Sequence, residues 1–215
     1  MNLFLLITNI LFRLVAINSE FPVVHAHETF LGETEASIKW PVVEGNFAGV
    51  ERINEILDYQ TFTGETLEET RENYQLHGSG IIGSNFRVNW MNTKYLDLTI
   101  TVETLGAYPS RMVFNKLFNL TSGELVTPEK LFLENEMDNL VTLCNNELQS
   151  RIPSEITDEY LFTRENLEQL GMRRSGILFH YDFQFAHAVE ALEPDGELFF
   201  YWSDINEFLR PELRQ

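Results

Sequence analysis

Cysteine is almost absent from this chain. Cys144 is the single thiol in 215 residues, so no internal disulfide can form and no cysteine follows the N-terminal segment to take a lipid. Cations are scarce as well: 15 Lys and Arg stand against 33 Asp and Glu, a formal net charge of −18. A surface this negative repels phosphate backbones, so nucleic acid is excluded as an expected partner. The same field speeds encounter with cationic proteins, and it also simply keeps a chain in solution. No apolar run reaches the roughly 20 residues of a membrane-spanning helix. Catalytic signatures are missing too: there is no G-x-S-x-G elbow, P-loop, H-E-x-x-H pair or dinucleotide glycine fingerprint. The expectation is a protein that is not an enzyme and holds neither cofactor nor metal. A hydrolase built on carboxylates that meet only in space stays open as an alternative.

The chain does have ample core material, 44% hydrophobic residues with 17 Phe, and its length suits one domain. At the N-terminus, Leu3 to Phe12 is apolar apart from Thr8 and Asn9, which is the length of a signal-peptide core. No Lys or Arg precedes that run, and Arg13 follows it. Residues 1–19 are expected to be a signal peptide cut near Val15-Ala16 or Asn18-Ser19, the alternatives being a misplaced start or a buried N-terminal element. Residues 20–215 then form a single domain in an extracytoplasmic location.

Along that domain the hydrophobic period alternates between two and 3.6. Ala36, Ile38 and Trp40 read as a strand ended by Pro41, followed by a helix carrying Phe47, Val50, Ile53, Ile56 and Leu57. Glu65 to Tyr74 reads as a second helix with a solvated glutamate face. Phe86, Val88 and Trp90 then alternate with polar residues, Met91 to Lys94 turn, and Leu96, Leu98, Ile100 and Val102 oppose Asp97, Thr99, Thr101 and Glu103. That is the pattern of a half-buried antiparallel strand. A corner at Gly106-Ala107-Tyr108-Pro109 leads to a strand through Met112, Phe114 and Phe118, and Thr121-Ser122-Gly123-Glu124 makes a tight turn. Thr127 and Pro128 open a helix, Asn135 to Arg151 is the longest helix, and Thr163 to Leu170 a shorter one. Gly176 to Phe185 and Glu197 to Trp202 close as strands, with Ser203 as N-cap of a last short helix. Helices thus interrupt an antiparallel sheet and pack on it, an α+β class.

Few side chains in this layout suggest chemistry. His25-Ala26-His27 has metal-compatible spacing on a strand near Glu28, but it lies at a terminus with no further His or Cys cluster. His180, Asp182 and Gln184 share one strand face, where a hydrogen-bonded surface pair is favoured over a general base because no nucleophile accompanies them. Cys144 falls on the apolar stripe of Met137, Leu140, Val141 and Leu148, a buried structural thiol. Asn119-Leu120-Thr121 matches a glycosylation sequon, a frequent accidental match. Trp202 and Tyr108 are expected in the core, and would suit sugar stacking if exposed.

Two groups of motifs resemble a family. Gly106-Ala107-Tyr108-Pro109, Phe118-Asn119-Leu120, Ser122-Gly123-Glu124 and Leu131-Phe132 form the first group. The second is Leu178-Phe179-His180-Tyr181, Phe185-Ala186-His187-Ala188, Gly196, and Phe199 to Leu209. Together with Trp40-Pro41-Val42-Val43 and Ile53-Asn54 they resemble a family of domains of unknown function, over about residues 35 to 210. It occurs in the extracellular part of the anti-sigma factor RsiV and beside the catalytic domain of the peptidoglycan deacetylase PdaC. Tyr108 stands where that family often has His, and His187 where it often has Tyr. The resemblance implies a non-catalytic, extracytoplasmic binding domain for a cell-envelope partner. The partner is a basic lysozyme-like protein or, alternatively, a glycan such as peptidoglycan. Contacts are expected in two loops, at Gly106, Ala107, Tyr108 and Pro109 and at His187, Glu190, Glu193 and Asp195.

Overall fold

Strand β1 (Val23–Phe30) pairs antiparallel with β2 (Ser37–Glu44), from Val23↔Glu44 to Phe30↔Ser37. The coordinates are a computed structural model that describes residues 22–33, 36–152, 160–183 and 194–214, so the expected leader at 1–19 lies outside the described residues. Pro41 does not end β2: it sits within the ladder opposite Ala26. Proline removes only its own donor, and the pairing of β2 with its other neighbour is a bridge three residues earlier, at Ile38↔Ser84.

Between β2 and that neighbour lie three helices, α1 (Val50–Ile56), α2 (Tyr59–Thr63) and α3 (Leu67–His77). They return the chain so that β3 (Gly80–Met91) runs parallel to β2, and the sheet is mixed instead of wholly antiparallel. Helix α2 has no long apolar period to announce it. Asp58 caps it by accepting the Thr61 N–H at 2.9 Å, and Gly64 ends it at φ 85°. Helix α3 opens with a capping box: the Thr66 hydroxyl accepts Glu69 N–H at 3.1 Å while the Glu69 carboxylate accepts Thr66 N–H at 2.7 Å.

β4 (Tyr95–Leu105) and β5 (Pro109–Asn119) complete a sheet of order β1-β2-β3-β4-β5. Leu96, Leu98, Ile100 and Val102 are all buried, as the alternation requires. Asp97 departs from it, being fully buried. Asn89, at a one-residue slip in the β3 register between Val88 and Trp90, donates its amide to Asp97 Oδ1 and to Thr99 Oγ1, each at 2.8 Å. A bulge re-aims a side chain, and this one satisfies a buried carboxylate.

By proximity the described residues form two compact units. The first takes in residues through Phe114 with Phe118–Leu125; the second takes in Asn115–Leu117 and residues from Val126 onward. In the first, the Trp40 ring meets Tyr59 and Phe62 edge-on at centroid distances of 4.9 and 5.2 Å, and Phe62 meets Phe114 at 4.8 Å. The indole N–H of Trp40 donates to the Leu57 carbonyl. Asn54 of α1 clasps the end of β2, donating to Val43 O at 2.8 Å and accepting Val43 N–H at 3.0 Å.

The second unit holds α4 (Pro128–Leu131), a 3-10 turn (Glu134–Glu136), α5 (Met137–Gln149) and a 3-10 turn (Arg164–Glu168) in place of the expected helix to Leu170. Leu170 instead begins β6 (Leu170–Arg173), which joins β7 (Gly176–His180) and β8 (Glu197–Tyr201) in an antiparallel sheet of order β6-β7-β8. β7 stops at His180, five residues short of the expected end, and Phe185 lies outside the described residues. The closing helix α6 (Trp202–Ile205) starts one residue before Ser203, so Ser203 is not its cap; Asp204 instead accepts the Tyr201 N–H at 3.1 Å. Met137, Leu140, Cys144 and Leu148 of α5 are buried, as are Phe132, Phe162, Phe179 and Phe200. An asparagine clasp recurs here: Asn145 donates to Phe162 O at 2.7 Å and accepts Phe162 N–H at 2.9 Å.

Candidate functional site

The corner between β4 and β5 is the candidate site that the described residues define best. Gly106 N–H donates to Tyr108 O at 3.3 Å, and the Thr104 and Ser110 hydroxyls meet at 2.7 Å across the hairpin. These bonds draw Gly106, Ala107, Tyr108 and Pro109 into one tight, wholly exposed corner. Tyr108 is 73% exposed, so it is a surface residue and not the core aromatic its type suggests. Beyond it Met112 and Val113 are also exposed, although adjacent strand residues point to opposite faces. Both faces of this end of β5 are therefore uncovered. The expected strand through Met112 does form, and nothing in its pattern marks Met112 and Val113 as exposed.

Asp195 belongs to the second unit, at the foot of β8, and its carboxylate accepts the Glu197 N–H at 3.0 Å. His187, Glu190 and Glu193 lie outside the described residues. The foot itself is strongly held. Tyr181 N–H donates to Gly196 O at 2.9 Å, and a β-carbon on Gly196 would lie 1.9 Å from Tyr181 O. Arg151, just past α5, donates to the carbonyls of Asp195 and Glu197 at 3.1 and 3.0 Å while pairing with Glu147 at 2.8 Å. Arg151 escapes sequence reading because its partners are backbone oxygens 44 and 46 residues away.

The histidine groups assemble no centre among the described residues. His25 Nε2 lies 3.8 Å from Glu44 Oε1, His27 is exposed, and no group of three metal-ligating side chains occurs among the described residues. His180 faces Glu197 at 4.0 Å, Asp182 lies beyond the end of β7, and Gln184 lies outside the described residues. Trp202 is half-buried with its indole N–H on Arg174 O at 3.0 Å. Asn119 of the sequon spends its side-chain oxygen on the N–H groups of Thr121 and Ser122, at 2.8 and 3.2 Å.

An open groove is lined by Glu51, Asn54, Glu55, Asp58 and Thr61. Three of its polar side chains are engaged in structure: Asn54 clasps Val43, Glu55 pairs with Arg52 at 2.8 Å, and Asp58 caps α2. The Thr61 N–H and hydroxyl hold the Asp58 carboxyl below the usual range, opposite to the raised value a general acid needs.

No protein-family profile and no curated protein matches this chain. Solved structures do. A DUF3298 family member from Bacteroides fragilis superposes with a TM-score of 0.54 at 13% identity, covering 88% of this chain and 92% of its own. A DUF3298 family protein from Pseudomonas aeruginosa gives a TM-score of 0.54 at 9% identity, over 90% of this chain and 95% of its own. The chain shares its fold with these two proteins. Likeness at so low an identity speaks for architecture alone: the neighbours are domains of unknown function, and neither is an RsiV or PdaC domain. The corner and the β8 foot are features of this chain's own residues within that fold.

Proposed function

We propose that this chain is a non-catalytic, extracytoplasmic binding domain whose partner is a basic, lysozyme-like protein of the cell envelope. The observation that carries the reading is Tyr108: a 73% exposed aromatic at the tip of a hydrogen-bonded hairpin, on a chain of net charge −18. Aromatic residues on a firm scaffold make economical anchors, and opposite charge raises association rates. The DUF3298 fold and the motif resemblance to the RsiV and PdaC domains support it from a second direction.

The test is calorimetric titration of the chain with lysozyme at about 0.15 M salt, where the Debye length is about 8 Å, and again at several-fold higher salt. Saturable binding that survives the higher salt is expected, weakened about tenfold or more by Tyr108→Ala, the loss of an aromatic anchor. Binding that vanishes with salt would reduce the attraction to diffuse charge and overturn the reading. The exposed Tyr108 ring favours one alternative, a peptidoglycan-binding accessory domain that stacks on sugar. Salt-resistant retention on isolated cell wall, without lysozyme binding, would select it.

A further inference from the structure

We propose that the first half of β5, Pro109 to Phe114, is a docking edge that takes up an extended, cationic segment of the partner as an added strand. The inference rests on the reading above for the partner's charge and adds the mode of capture. β5 is the last strand of its sheet. An end strand carries a row of backbone N–H and C=O groups without a neighbour on one side, a template that another extended backbone completes. Residues 109–113 are exposed without a break, so this stretch of edge is accessible.

Three of the large exposed hydrophobics among the described residues, Tyr108, Met112 and Val113, fall within six positions here. β1, at the opposite end of the sheet, carries only Phe30 of that set, and its Glu28 is tied to Lys39 and Ser37 of β2. Natural edges are blunted with proline, bulges and charge. Along this half of β5 proline stands only at the first position, where it leaves later donors intact, and Arg111 is the sole charge. Met112 and Val113 point to opposite faces, so a strand laid alongside gains apolar contacts above and below the sheet.

The occupant is a segment of another protein and not a second copy. Two copies would bring −18 against −18, whereas a lysine-bearing strand is steered toward the chain by its overall field, Arg111 being the one like charge on the edge itself.

The probe is a capped peptide of about six residues, a usual strand length, alternating lysine with valine and threonine. Its twin is N-methylated at alternate residues, which deletes the donors of one edge and leaves the side chains alone. Amide spectra of the isotope-labelled full chain are recorded with each peptide, beside the lysozyme titration. Shifts and slowed hydrogen exchange centred on residues 110–114 are expected with the first peptide, and at least about tenfold weaker binding with the twin, the equivalent of one or two net backbone hydrogen bonds. Equal binding of both peptides, or shifts centred elsewhere, would overturn the edge. Lysozyme binding that leaves residues 110–114 undisturbed would sink this inference while sparing the proposed partner. Strand capture of the peptide without lysozyme binding would do the reverse.

Discussion

Gly49 and Gly123 touch backbone to backbone. A β-carbon on Gly49 would lie 2.4 Å from Gly123 N, and one on Gly123 would lie 2.5 Å from Gly49 O. Gly49 also donates its N–H to Leu120 O at 3.1 Å, so the start of α1 is seated directly on the turn that follows β5. Gly123 additionally holds φ +72°, a region that side chains rarely enter. Gly49→Ala is expected to destabilise the protein by about 1–3 kcal/mol through forced backbone movement, and Gly123→Ala by at least as much. Urea unfolding checks both, and wild-type midpoints would refute the contact.

The capping box at α3 predicts a pH signature. Hydrogen bonds from the Thr66 N–H and hydroxyl hold the Glu69 carboxyl below its ordinary range. A carboxyl lowered in the folded state contributes stability above its unfolded pKa of about 4.3, and that contribution fades as pH falls through the folded value. Thr66→Ala is therefore expected to lower the urea midpoint at neutral pH, and to lower it less at a pH beneath the folded value of Glu69. Equal penalties at both pH values would show that Glu69 takes no part.

Arg151→Ala removes a cation from the carbonyls of Asp195 and Glu197. A loss of about 1–2 kcal/mol is expected, because these are charge-assisted bonds at a partly solvated site. Faster hydrogen exchange at the Glu197 and Gly196 amides would accompany it. Unchanged exchange there would mean that the Tyr181–Gly196 bond holds the loop foot without help.

Cys144 is buried within α5, and burial raises its thiol pKa far above the ordinary value. A disulfide reagent is thus expected to react with the native protein at least about a thousandfold more slowly than with the urea-unfolded chain, since it needs both exposure and thiolate. Rapid labelling without denaturant would contradict the packing of α5. Cys144→Ser, which places a hydroxyl among apolar neighbours, is expected to cost about 1–3 kcal/mol.

Where a residue's fate depends on its near neighbours, the sequence announces it. The stripe of Leu96, Leu98, Ile100 and Val102, the start at Thr127-Pro128 and the helical run around Cys144 all take their expected places. Features decided by distant partners do not show. Asp97 reads as solvated because its partner Asn89 reaches it only through a register slip in β3. The parallel Ile38↔Ser84 pairing depends on three intervening helices, and α2 is too short to declare a period. β6 spans only Leu170–Arg173 and merges in sequence with the turn before it. Of the candidate site, the corner was legible from Gly106 and Pro109. The exposure of Tyr108 and Val113 was not, because it records what fails to cover them.

The division of β5 has a consequence for how such a protein can be inherited and rearranged. Asn115–Leu117 group with the later part of the chain, while Phe114 and Phe118 on either side group with the earlier part. Neither unit is therefore a continuous length of gene. Recombination at a single breakpoint cannot transplant one of them whole.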